Sequence, residues 1–148
     1  MENILELQKL CKSFPKSNFI LDKLSFSLPY GAILGFVGEN GAGKTTTIGC
    51  ILNTVRKDSG MVKLFGKEMR DIDTDIREKI GVVYDGDNFP GFWTAKQLSQ
   101  VMEGIYTQWD NALFQKYLED FHLPVKQKIK NYSRGMTMKL AIAVALSH

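Results

Sequence analysis

The sequence predicts an α/β fold: an N-terminal antiparallel β element, a core built around a strand, a glycine-rich loop and a helix, and an inserted helical subdomain. Three observations predict it. The stretch Gly38-Glu39-Asn40-Gly41-Ala42-Gly43-Lys44-Thr45-Thr46 lies between the apolar run 32–37 and a segment, 45–52, able to continue as a helix. Strand, loop and helix patterns alternate up to Tyr84, as in a largely parallel sheet. After Asp85 the apolar spacing becomes helical. The chain therefore divides into residues 1–85, an α/β core, and residues 86–148, a loop and helical subdomain.

Residues 4–10, Ile-Leu-Glu-Leu-Gln-Lys-Leu, alternate imperfectly and read as an opening strand. Residues 24–28 alternate cleanly and read as a second, half-buried strand. Between them lies a polar loop, 12–18, carrying one aromatic, Phe14. Pro29-Tyr30-Gly31 makes a turn into the apolar run 32–37, which reads as a buried strand.

The glycine-rich stretch fits G-x-x-x-x-G-K-[ST] at every fixed position. Phosphates crowd negative charge, and a loop holds them by turning backbone N–H groups inward. Gly38, Gly41 and Gly43 permit the curl because glycine accepts positive φ. The helix that follows adds its free N–H groups and positive dipole end, with Ile48, Ile51 and Leu52 on one side. Lys44 reaches the β- and γ-phosphates, and the Thr45 hydroxyl ligates Mg²⁺.

Beyond a turn at 57–60 come a short strand, 61–65, and then Asp71-Ile72-Asp73-Thr74-Asp75. That acidic run fails as a calcium loop, with Ile76 at the sixth position and Val82 at the twelfth, and reads as a helix start. Residues 80–84 form another buried-strand candidate. A turn-rich loop, 85–93, holds Phe89, Phe92 and Trp93. Thr94-Ala95-Lys96-Gln97 is a capping box opening a helix with Leu98, Val101, Met102 and Ile105 at helical spacing. Asp110 caps a second helix, with Leu113, Phe114, Tyr117, Leu118 and Phe121 as its stripe, ended at Leu123-Pro124. A third follows Tyr132-Ser133.

The bulk numbers exclude several classes. At 148 residues the chain suits one domain with a core. A net charge of +3 suits an anionic ligand and gives no reason to expect nucleic acid. Cys11 and Cys50 lack metal-ligand spacing and read as reduced thiols in a cytosolic protein. The sequence has neither a signal-peptide pattern nor an apolar run of membrane length.

With the phosphate loop and Tyr132-Ser133-Arg134-Gly135-Met136 in hand, the whole chain resembles the ATP-binding domain of ABC transporters. The second motif is similar to the family signature, usually Leu-Ser-Gly-Gly-Gln. The resemblance implies a P-loop NTPase core lacking its C-terminal strands, with ATP and Mg²⁺ as cofactors. It implies ATP held by Phe14, stacked on adenine, and by Gly38, Asn40, Gly41, Ala42, Gly43, Lys44, Thr45 and Thr46. It implies Mg²⁺ on Thr45, and at Asp85, where the family usually carries glutamine; a plain turn residue is the other reading of Asp85. Ser133, Arg134, Gly135 and Met136 would meet the ATP of a second subunit in a head-to-tail dimer. Ser133 also reads as a helix cap, and Arg134 as reaching that phosphate or pointing to solvent. No catalytic residue is assigned within the chain. The general base of the family belongs to an Asp-Glu strand beyond His148, and neither His122 nor His148 matches the family's γ-phosphate histidine.

The expected function is thus the ATP-binding and ATP-hydrolysing subunit of an ABC transporter, of an export-type system. The subunit would lie on the inner face of the cell membrane through a permease partner, contacted by the loop 85–93 and the helix after it. A soluble ABC ATPase of translation or DNA repair, or a nucleotide-binding module without catalysis, are the alternatives. The Asp-Glu strand is absent from residues 1–148, so hydrolysis by this stretch alone is not expected.

Overall fold

The computed structural model describes residues 2–15, 20–69, 74–86 and 88–148. They form two compact units, Met1–Asp73 and Thr74–His148. Residues 16–18 of the polar loop, residues 71–73 of the acidic helix start, Asp87 and Met1 lie outside the described residues.

In the first unit, β1 (Asn3–Ser13), β2 (Ile20–Pro29), β3 (Ser59–Leu64) and β4 (Lys67–Glu68) form a sheet in the order β2-β1-β3-β4, and every pairing is antiparallel. Leu7 of β1 stands opposite Phe26 of β2 and Val62 of β3. The imperfect alternation of β1 has a local cause. Its buried side chains are Leu5, Leu7 and Leu10, so the phase slips by one residue between the last two. A register shift sits there, with Lys9 at φ 49°. The bulge absorbs one residue and returns Leu10 to the buried face. Gly60 allows it, because at φ 90° a Cβ on Gly60 would lie 2.3 Å from the Lys9 carbonyl oxygen. Phe65 and Gly66, both at positive φ, make the tight hairpin into β4, an element that sequence pattern did not reveal.

Helix α1 spans Lys44–Ile51. It buries Thr47, Gly49 and Cys50, and Ile48 is 42% exposed, so the expected Ile48 face is not its covered one. The run 32–37 also departs from expectation. It forms no strand ladder among the described residues, and Ile33 and Val37 are 99% and 98% exposed. Leu34 and Phe36 are partly covered, Phe36 by an edge contact with Phe26 at 5.4 Å. The run stays exposed, and the largely parallel sheet is not formed among the described residues.

The second unit contains α2 (Thr74–Arg77), α3 (Ala95–Ile105), α4 (Asn111–Asp120), a 3₁₀ turn (Ile129–Asn131) and α5 (Arg134–Ala145). Leu98, Phe114, Leu118, Ile129, Leu140 and Ala143 form its core, with Phe89 and Trp93 packed against it. Ile105, expected in the α3 stripe, is 60% exposed. The expected caps are present. Gln97 N–H donates to Thr94 Oγ1 and Thr94 N–H to Gln97 Oε1, while Leu113 N–H donates to Asp110. His122, at φ 56°, closes α4 with its N–H on the Glu119 carbonyl.

Residues 80–84 form no ladder among the described residues. They pass beside the end of α5, where a Cβ on Gly81 would collide with the Ala145 carbonyl oxygen. His148 Nδ1 lies 3.0 Å from the Glu78 carbonyl oxygen, with its ring stacked on Tyr106. Through these contacts residues 74–85 fold with the helices, although the sequence pattern groups them with the core.

Candidate functional site

The glycine-rich loop leads into α1 through two left-handed residues, Gly41 at φ 88° and Gly43 at φ 97°. Gly38, expected to share that role, does not adopt positive φ; an added Cβ there would sit 3.4 Å from Ala42 Cβ. Ala42 N–H donates to the Glu39 carbonyl at 3.2 Å and tightens the curl. The first helical bond of α1 runs from Thr47 N–H to the Gly43 carbonyl at 2.8 Å. Among the described residues no carbonyl accepts from Lys44, Thr45 or Thr46 N–H, so three donors face out of the helix start.

The Lys44 ammonium folds back over the loop, donating to the Gly38 and Glu39 carbonyls at 2.6 and 2.8 Å. An ammonium carries three N–H donors, so one remains. A cavity of about 370 Å³ opens here, lined by Phe14, Asn40, Gly41, Gly43, Lys44, Thr45 and Thr46. Of the expected nucleotide-binding residues only Gly38 and Ala42 are not in its lining. Free N–H groups, a helix start and a lysine are together able to hold a phosphate chain. The exposed Thr45 hydroxyl suits an octahedral cation that keeps phosphate and water as its other ligands. Among the described residues no cluster of three His, Cys, Asp or Glu could hold a metal.

Phe14 has a support that its surroundings in sequence do not reveal. The Lys12 ammonium lies 5.1 Å from the Phe14 ring centroid and donates to Asp58 at 2.9 Å. Asp58 also accepts from Ser13 N–H and Oγ at 2.7 and 2.8 Å. The Lys12 bond, then those from Ser13, hold the Asp58 carboxyl at a pKa of about 2. Burial pushes the Cys50 thiol up, away from reactivity.

In the second unit Ser133 caps α5, accepting from Met136 N–H at 3.2 Å. Gly135 has open space, its nearest atom to an added Cβ being Ser133 Oγ at 4.0 Å. Arg134 neither stands alone nor points only to solvent. Its Nη2 donates to Oδ1 and Oδ2 of Asp85, each at 2.8 Å, and this bond raises the Arg134 pKa. The two residues that depart from the family pattern thus touch each other. They border a cavity of about 440 Å³ with Gly86, Tyr132, Thr137 and Met138. Asn88 accounts for the placement of Asp85: Nδ2 donates to the Tyr84 and Gly86 carbonyls at 2.9 Å, and Oδ1 accepts from Tyr84 N–H. An asparagine in a glycine turn was the one local signal of that clamp. Of the loop aromatics, Phe89 and Trp93 pack on the core and Phe92 is 67% exposed.

A family profile described as ABC transporter matches residues 21–148. The bacitracin transport ATP-binding protein of Bacillus licheniformis is 31% identical over 153 residues, covering 100% of this chain and 49% of that protein. The Nod factor export ATP-binding protein I of Burkholderia orbicola is 33% identical over 132 residues, covering 86% and 43%. The chain spans about half the length of the curated relatives it matches. Its fold is that of a solved ATP-binding subunit of an ABC transporter, with TM-score 0.82 and 22% identity over 95% of this chain and 60% of the other. A dimeric ATP-binding cassette in a post-hydrolysis state with ADP and Pi gives 0.78 and 21%, over 97% and 69%. The chain, on the profile match and the fold together, belongs to the ABC transporter ATP-binding family.

Proposed function

We propose that the whole protein is the ATP-binding and ATP-hydrolysing subunit of an export-type ABC transporter, and that these residues hold its nucleotide. The observation that supports this most is the loop cavity, in which left-handed Gly41 and Gly43, three free helix N–H groups and the Lys44 ammonium converge. ATP and Mg²⁺ fit these residues. Gly38 and Asn40 through Thr46 take the phosphate chain, Phe14 takes the adenine ring, and the Thr45 hydroxyl takes one position on Mg²⁺. Bound MgATP supplies the phosphoanhydride chemistry; the chain's own groups bind and orient it.

Residues 1–85 serve as the nucleotide-binding part and 86–148 as the signature and coupling part. Ser133, Arg134, Gly135 and Met136 meet the ATP of a second subunit, and the exposed Phe92 offers the contact for a permease on the inner face of the membrane. The general base comes from outside these residues. A relative named for Nod factor export supports the export reading, and one named for bacitracin transport supports transport.

Equilibrium MgATP binding to the 148-residue chain tests this. The Lys44→Ala variant should lose about tenfold or more in affinity, the scale of one charge-assisted contact. Equal binding by both proteins, or none by a chain folded by circular dichroism, would overturn it.

A further inference from the structure

We propose that Asp85 is a positioning residue for Arg134 rather than a metal ligand, and that the pair ties the loop beginning at Asp85 to the first turn of α5. This rests on the nucleotide reading only for its use, not for its geometry. Both carboxylate oxygens of Asp85 already accept from the Arg134 guanidinium, each at 2.8 Å. A divalent cation there would need one of those oxygens at about 2.1 Å and would stand beside a fixed positive charge. The arginine thus holds both oxygens and sets its positive charge against a cation at that carboxylate.

The backbone that carries Asp85 is fixed in turn. The Asn88 side chain bonds Tyr84 on both its N–H and its carbonyl, and bonds the Gly86 carbonyl too. On the other side Arg134 is the first residue of α5, directly after the capping Ser133. The Asp85–Arg134 side-chain contact thus joins a loop whose backbone Asn88 braces to the first turn of α5.

The bond leaves much of the guanidinium available. Only Nη2 is engaged; among the described residues Nη1 and Nε have no protein acceptor, and the Arg134 side chain is 83% exposed. Pairs this exposed contribute little stability, so what the contact supplies is orientation. Asp85 aims a guanidinium whose free edge remains open to an anion presented at α5, the terminal phosphate of a second subunit's ATP. Loop and signature then respond together to that anion.

Amide hydrogen exchange on the 148-residue chain without nucleotide tests the tie. Asp85→Asn and Arg134→Gln should each speed exchange, about threefold or more, both at Tyr84, whose N–H donates to Asn88, and at Met136, whose N–H donates to Ser133. The double variant should be no faster than either single one, and the charge-swapped Asp85→Arg, Arg134→Asp protein should recover protection. A second readout is the Mg²⁺ dependence of ATP binding, whose midpoint should be the same in wild type and Asp85→Asn. Additive exchange effects, an effect confined to one end, or a midpoint moved about tenfold by Asp85→Asn in the Arg134→Gln background would each overturn the proposal. A wild-type chain that binds no ATP defeats the function proposed above and leaves the exchange result to decide this one.

Discussion

Asp58 shows how a single residue works in the first unit. It takes a salt bridge from Lys12 and two hydrogen bonds from Ser13, and Lys12 in turn stands over the Phe14 ring. These donors favour the charged carboxylate, so its pKa is depressed from 3.8 to about 2. A depressed acid contributes stability above its unfolded value and loses that contribution as pH falls through its folded value. Unfolding followed between pH 4 and pH 2 should therefore show an acid-sensitive component in the wild type that Asp58→Asn removes. Such contacts are hard to read from sequence, because Lys12 and Asp58 are 46 positions apart and Asp85 and Arg134 are 49 apart. The phosphate-loop residues were legible because the whole constellation is contiguous.

At the scale of elements, the features set by neighbours along the chain were the readable ones. The Thr94 capping box, the Asp110 cap and Ser133 before α5 each need only a residue and the N–H three positions on. The bulge in β1 was not readable, because it depends on Gly60 passing against Lys9 and Leu10 from another strand. Two substitutions separate the cases. Thr94→Ala should cost about 1 kcal/mol in denaturant unfolding, the ordinary loss of a cap. Gly60→Ala should cost about 2 kcal/mol or more, because it combines a left-handed φ with a backbone collision. A smaller cost for Gly60→Ala than for Thr94→Ala would show that the bulge relaxes freely.

For the whole molecule, periodicity located the apolar segments 32–37 and 80–84 but not their burial. Ile33 and Val37 are almost fully exposed, and Tyr84 is 55% exposed. An apolar run states that a surface is fit to be covered; only its partners decide whether it is, and among the described residues no strand pairs with either run. The signature region was legible as a motif, yet its charge partner was not, since pairing Asp85 with Arg134 required the fold of the second unit. The lining of the loop cavity carries a consequence of a different kind. Its walls are glycine backbone, threonine and asparagine side chains and one ammonium, with Phe14 as its single aromatic surface. Removal of apolar surface from water is what gives association a large negative heat capacity change. Calorimetry of ATP binding at several temperatures should thus return a heat of binding that varies little with temperature, and Phe14→Ala should flatten it further.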